Sequence, residues 1–381
     1  MKKVLFLIED LKFGGAEVSL VNLLNSLDFE NHNFSTVLLM WGDHYEIIDS
    51  LKPNKHIKVI RVRTGFIKLI SKLALKFIGN EKSENLKNRL IYSLVVLKIE
   101  IERPDIIIRY HQHAIRKLFT KIGRKTENIS WYHLSSYNDY YLNEKYVSNC
   151  DKVVCVNDAC KSIIEAKAPY LSEKLCAICN IIPFSDILAK AECKEKLFNE
   201  KNFNILTCGR LSPEKGIDIA VKACKLIESI IPELKWYVVG DVDDCRAEYA
   251  DVIKDLIKKN ALEDKFILLG AKKNPYPYFK QCNLYVQPSR EESMCFTIAE
   301  AQICGRAVVS TNTVGAKSLI ENGLTGCIVD CDEQAISDAV YELFENRKKL
   351  HTLEKNVRNI DFGQMNNDCL LYTSDAADDK A

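Results

Sequence analysis

Short, continuously apolar runs alternate with amphipathic stretches along most of the chain, and few architectures accommodate that rhythm. The runs are VLFLIE, FSTVLLM, IKVIRV, DIIIRY, ISWYH and KVVCVN in the first half, then FNILTC, LKWYVVG, KFILLG, LYVQP and AVVST. Segments between them, such as IDIAVKACKLIESI, carry apolar residues at helical spacing. Strands apolar on both faces and separated by helices indicate parallel sheets covered on both sides. At 381 residues the chain exceeds what one core supports, so two domains are expected. The rhythm lapses near NIIPFSDI (Asn180 to Ile187) and restarts at FNILTC. This places an N-terminal domain over 1–183 and a C-terminal domain over 184–369. Both are predicted to be doubly wound, Rossmann-like α/β domains with ligands at the carboxyl ends of their strands.

Bulk chemistry narrows the function. Lys and Arg number 53 against 52 Asp and Glu, so net charge points to neither nucleic acid nor an acidic polymer. MKKVLFLIED begins like a leader but turns acidic after six apolar residues, and it reads as a first buried strand. No stretch approaches the ~20 apolar residues of a spanning helix. The fifteen cysteines are odd in number and scattered, with Cys155 and Cys208 inside apparent strands. That pattern suits core packing in a reducing cytoplasm, and the Cys176–Cys179 pair is read the same way in preference to zinc. LLYTSDAADDKA, from Leu370 onward, has neither period and is set aside as a non-native tail, 370–381.

Three segments carry chemistry. In LKFGGAEVSLVNLL, Gly14 and Gly15 stand at a strand-to-helix turn, where a ligand can approach backbone N–H groups, unless the pair merely makes the turn. The apolar face of that helix is read as Val18, Val21 and Leu24. The dinucleotide pattern GxGxxG is absent. In CGRLSPEKGIDIAVKA, Arg210 and Lys215 follow a strand ending at Cys208, a placement that suits a diphosphate, although loop cations are also commonly solvated. In PSREESMCFTIAEAQICG, Glu292 lies in the loop after strand LYVQP and Glu300 one turn inside the next helix. Between them, the N–H groups of Ser293, Met294, Cys295 and Phe296 form a potential anion site. Carboxylates accept hydrogen bonds from sugar hydroxyls and amides bind phosphate, and a nucleotide-sugar has both.

In order and spacing, GGAE, the GRL…EKG loop and Glu-x7-Glu in PSREESMCFTIAEA, followed by CGRAVVST and ENGLTG, resemble a family 4 retaining glycosyltransferase over roughly residues 1–365. The resemblance implies a GT-B fold, two Rossmann-like domains facing a central cleft. It implies a nucleotide-diphosphate sugar donor, of UDP or GDP type, and a glycan or lipid-linked acceptor. Arg210 and Lys215 would hold the donor diphosphate, Glu300 the ribose hydroxyls, and Glu292 would lie beside the transferred sugar. Gly15 would sit under the donor phosphate, and His133, ending ISWYH, would face the sugar, unless it is a satisfied strand-end residue. His111 and His113 are further candidates. The family usually has Glu-Gly-Phe-Gly where this chain has Glu292, Ser293, Met294 and Cys295.

Front-face transfer without metal is the mechanism implied, with no cofactor. DVDD (Asp241–Asp244) is read as the acidic start of a helix. A nucleotide-sugar epimerase of the same fold, or a non-catalytic sugar-nucleotide-binding partner of another transferase, would share these motifs. Lys68, Lys72 and Lys76 recur every four residues in GFIKLISKLALKFIGN, an arrangement fitting either an ordinary packed surface helix or a basic stripe on anionic lipid. The expected location is cytoplasmic, peripheral on the inner membrane face.

Overall fold

In the computed structural model of the protein, the described residues are 1–381 other than 13, 32, 63, 66, 68–69, 71–72, 74–79, 112–125, 243–246 and 367–381. They divide into two compact units, Met1–Ile181 and Ile182–Asn366.

The first unit holds strands β1 (Lys2–Ile8), β2 (Phe34–Met40), β3 (Ile57–Arg61), β4 (Ile106–Arg109), β5 (Glu127–Tyr132), β6 (Lys152–Cys155) and β7 (Leu175–Ala177). Its described helices are α1 (Gly15–Ser26), α2 (Asn80–Glu102), α3 (Asp139–Leu142), α4 (Glu144–Val147) and α5 (Asp158–Lys167). The second unit holds β8 (Phe203–Cys208), β9 (Leu234–Val239), β10 (Phe266–Gly270), β11 (Leu284–Gln287), β12 (Val308–Thr311) and β13 (Cys327–Val329). Its helices are α6 (Phe184–Ala191), α7 (Ile217–Ile227), α8 (Ala247–Lys259), α9 (Tyr276–Gln281), α10 (Phe296–Ile303), α11 (Val314–Lys317), α12 (Glu333–Glu345) and α13 (Arg347–Val357).

All strand pairs are parallel, in the orders β3-β2-β1-β4-β5-β6-β7 and β10-β9-β8-β11-β12-β13. The winding therefore reverses between β1 and β4 in one unit and between β8 and β11 in the other. Successive residues of the second sheet serve opposite faces. Ile205, Trp236, Val238, Leu284, Val286 and Val309 enter one core cluster, while Leu206, Val239, Tyr285 and Val308 enter another. Two buried faces require both parities to be apolar, which is why these strands read as unbroken apolar runs.

Eleven strands are legible from the periodicity; β7 and β13, three residues each at the sheet edges, are the additions. Three residues are too few for a periodic signal. Helix α1 buries Glu17, Ser19, Leu20, Val21, Leu23 and Leu24, while Val18 is only half-buried. Val21 and Leu24 are thus buried as expected, while Leu20 and Leu23, not Val18, complete the face. Lys68, Lys72, Lys76, His113, Asp243, Asp244 and the 370–381 tail lie outside the described residues. The helix after DVDD begins at Ala247.

Candidate active site

The two strands flanking the reversal in the second unit are neighbours, with Leu284 in register with Ile205 and Tyr285 with Leu206. Their carboxyl ends emit the two loops singled out from the sequence. After β8 the chain makes a 3-10 turn over Pro213–Lys215 and enters α7 through Gly216, at φ 65°. A Cβ on Gly216 would lie 2.0 Å from the carbonyl oxygen of Pro288, so only glycine lets the two loops touch backbone to backbone. Gly240, following β9, packs the same way, its missing Cβ 1.8 Å from the Gly209 oxygen.

This contact brings Lys215 Nζ to 2.6 Å from Glu292 Oε1. Both residues are sheltered, with side-chain exposures of 21% and 8%. The same Oε1 accepts from Ser289 Oγ at 2.8 Å and Gln287 Nε2 at 3.4 Å. Gln287 is itself tethered by Thr297 Oγ1, which donates to its Oε1 at 2.8 Å, and by the Tyr285 hydroxyl. A sheltered ion pair is better tolerated when further hydrogen bonds reach it, as Ser289 and Gln287 do here at Oε1. Burial works against the Lys215 ammonium, but the adjoining Glu292 carboxylate outweighs it and raises the lysine pKa.

Glu300 lies one turn into α10, half-buried, and burial pushes its carboxyl up to about 7 against a hydrogen bond from Tyr276. Cys295, at the N-cap of α10, is 2% exposed, and burial raises its thiol to about 12. It is a packing residue, since a nucleophile must be thiolate. Among the described residues the backbone N–H groups of Met294, Cys295 and Phe296 have no acceptor, leaving the start of α10 open to an anion. Ser293, in place of the family's glycine, is not at positive φ, so it carries no left-handed strain. Gly315 in α11 backs this loop: a Cβ there would lie 3.1 Å from Glu292 Cβ and Cys295 N.

Arg210 is the exception in this group. Its guanidinium is 47% exposed, lies 3.8 Å from Glu214 and is close enough to Lys215 to oppose the ammonium charge.

In the first unit, Gly14 caps α1 with φ −150°, and neither it nor Gly15 has a left-handed backbone. A Cβ on Gly14 would lie 2.2 Å from Glu17 Oε2, whereas the space beside Gly15 is open. His133 directly follows β5, and its Nε2 donates to the Tyr110 carbonyl at 2.7 Å. Burial lowers its pKa to about 4, so the imidazole is neutral at pH 7, with its proton on Nε2. Tyr110, 0% exposed, reaches Ser19 Oγ of α1 at 2.7 Å, and Ser19 donates to Asn180 Oδ1 at 2.7 Å. His111 stacks 6.4 Å from the His133 ring. Among the described residues no three His, Cys, Asp or Glu side chains gather as a metal site, and the described cysteines, including Cys176 and Cys179, are free thiols.

Gln287, Ser289, Thr297 and Gly315 were not singled out in the sequence. Only Gln287 left a trace there, as a polar residue closing an otherwise apolar strand.

Residues 190–360 match the family described as glycosyl transferases group 1. An uncharacterised glycosyltransferase of Methanocaldococcus jannaschii is 26% identical over 68% of this chain and 68% of its own. The UDP-Gal:alpha-D-GlcNAc-diphosphoundecaprenol alpha-1,3-galactosyltransferase of Escherichia coli is 25% identical over 57% of each chain. HepE of Anabaena, crystallised with UDP and glucose, superposes with TM-score 0.74 at 19% identity, over 98% of this chain and 100% of that one. With two parallel-sheet units and this site at a switch point, the chain has the GT-B fold, and its residues 190–360 are similar to the group 1 glycosyltransferases.

Proposed function

We propose that the protein is a retaining, metal-independent glycosyltransferase of family 4. It moves a hexose-type sugar from a nucleotide diphosphate of UDP type to a hydroxyl of a glycan or lipid-linked acceptor, in cell-surface polysaccharide synthesis. The Lys215–Glu292 pair, held at 2.6 Å with Glu292 in the loop that leads into α10, the helix of Glu300, carries this reading. A ribose needs a carboxylate partner, a diphosphate needs cations and free amides, and this switch point supplies them together. The UDP complexes of HepE and the lipid diphosphate in the name of the Escherichia coli relative support the donor and acceptor classes.

In this scheme Glu300 orients the ribose. Lys215, Arg210 and the amides of Ser293, Met294, Cys295 and Phe296 stabilise charge as the bond from the anomeric carbon to the phosphate oxygen breaks. The acceptor oxygen bonds to the anomeric carbon on the face the phosphate leaves, and its proton passes to that phosphate oxygen. Configuration is retained without a covalent intermediate. Glu292, its charge already shared with Lys215, lies against the sugar. Gly15 and the neutral His133 belong to the first unit's contribution to donor and sugar. The enzyme works in the cytoplasm, at the inner membrane face.

A thermal-shift screen of nucleotide-sugars, followed by nucleoside-diphosphate release with and without acceptor, tests the reading. One donor should raise the melting temperature and release UDP only with acceptor. Isomerisation of the sugar without acceptor would replace this reading with an epimerase, and binding without turnover with a non-catalytic partner.

A further inference from the structure

Arg290 stands two residues before Glu292 and, by sequence, resembles a third cation for the donor phosphates. The structure uses its guanidinium elsewhere. Nη1 donates to Asp218 Oδ1 at 2.8 Å and to the Pro213 carbonyl at 2.7 Å, while Nη2 donates to Asp218 Oδ2 at 2.7 Å. Its backbone N–H donates to the Glu214 carbonyl at 2.8 Å. Asp218, in the first turn of α7, also accepts from the Tyr249 hydroxyl of α8 at 2.6 Å. Burial opposes the charged form of Asp218, yet Arg290 and Tyr249 hold its carboxyl below the usual range.

Pro213 and Glu214 are the two residues before Lys215, so one side chain and one amide grip the backbone from which the lysine projects. Arg290 also fastens the loop after β11 that carries Glu292. We propose that Arg290 is a positioning residue, whose bidentate clamp on Asp218 and Pro213 holds Lys215 and Glu292 in register for the donor diphosphate. The role is indirect, because Arg290 touches neither member of the pair by side chain. It rests on the glycosyltransferase reading above.

The clamp is half-open to solvent, with side-chain exposures of 42% for Arg290 and 20% for Asp218. Exposed ion pairs contribute little to global stability. Misplacing a catalytic group by about 1 Å costs on the order of 10²-fold in rate. Loss of the clamp should therefore appear in turnover more than in melting temperature.

The experiment compares Arg290→Ala, Arg290→Lys, Asp218→Asn and the Arg290→Ala/Asp218→Asn double variant in the full chain. Expected for Arg290→Ala is a kcat lower by roughly 10- to 100-fold, with donor KM within about threefold. Arg290→Lys should recover only part of this, since an ammonium cannot make the fork. The double variant should be no worse than the more damaged single one, because both mutations break one contact. Amide exchange at Lys215 and Gly216, whose N–H groups donate to Ser212 and Pro213, should speed up in each variant. A kcat within twofold of wild type, additive losses in the double variant, or unchanged exchange would overturn the proposal. If the wild-type protein turns over no nucleotide-sugar, the functional reading fails, and the exchange comparison alone decides the clamp.

Discussion

At the scale of single residues, Lys215 and Glu292 each make the other's shelter tolerable. Lys215→Ala and Glu292→Ala are each expected to lower transfer by about 10²-fold or more, measured as nucleoside-diphosphate release by the purified variant. Far-UV spectra should be unchanged, and wild-type rates in either would count against the assignment. Glu300 makes a different statement. Its carboxyl titrates near 7 in the folded protein and at 4.5 as a free group. Folding therefore favours the neutral form. The associated stability is full below about pH 4.5 and is lost as pH rises through 7, by up to about 3 kcal/mol. Ribose hydroxyls donate to the carboxylate, so UDP binding should release a proton and strengthen from pH 5.5 to 8. Calorimetry against Glu300→Gln, which cancels the phosphate's own titration near pH 6, checks this. Parallel pH profiles for the two proteins would remove Glu300 from the ribose.

At the scale of elements, the site is two strand ends locked together by glycines. Gly216→Ala places a Cβ 2.0 Å from the Pro288 oxygen at a φ of 65°, so backbone must move. The left-handed penalty alone is about 1 kcal/mol, and the clash adds to it. A melting temperature lower by several degrees, with loss of transfer, is expected by calorimetry. Gly315→Ala is gentler, with contacts of 3.1–3.2 Å to Glu292, Met294 and Cys295. It should leave melting nearly unchanged while weakening turnover, because the displaced segment carries Glu292. Equal activity in that variant would mean the loop yields without cost. These glycines were visible as letters in the sequence, but their necessity was not. The partner atoms lie in loops elsewhere in the chain, 72 residues on from Gly216 and 20 to 23 residues before Gly315.

At the scale of the whole molecule, transfer is expected to persist in EDTA. On the proposed reading, Lys215, Arg210 and the open amides at α10 would supply the charge that a metal would otherwise provide. Complete loss restored by Mg²⁺ or Mn²⁺ would show otherwise. A membrane-apposed enzyme should also pellet with anionic liposomes but not neutral ones, and changing Lys68, Lys72 and Lys76 to glutamate should abolish this. Equal, negligible pelleting throughout would point to an enzyme acting away from lipid. Among the described residues no helix is long and apolar enough to cross a membrane.

The chain's apolar rhythm was sufficient to specify two parallel sheets, because burial on both faces leaves a mark on every residue of a strand. It also located the Glu292 and Lys215 loops, since strand ends and helix starts are local events. The helix of Glu300 begins at Phe296 and β8 ends at Cys208, both where the pattern puts them. What it could not convey was pairing across the switch point. That Lys215 meets Glu292, that Gln287 and Ser289 fill the same carboxylate, and that Arg290 turns to Asp218 follow from β8 and β11 lying side by side. Arg210 and Arg290 look alike in sequence, one residue type in two loops. Only tertiary contact leaves the first reaching solvent beside Glu214 and fastens the second to Asp218 and the Pro213 backbone. A side chain's charge is written locally, but its partner is decided by whichever distant backbone the folded sheet brings within hydrogen-bonding reach.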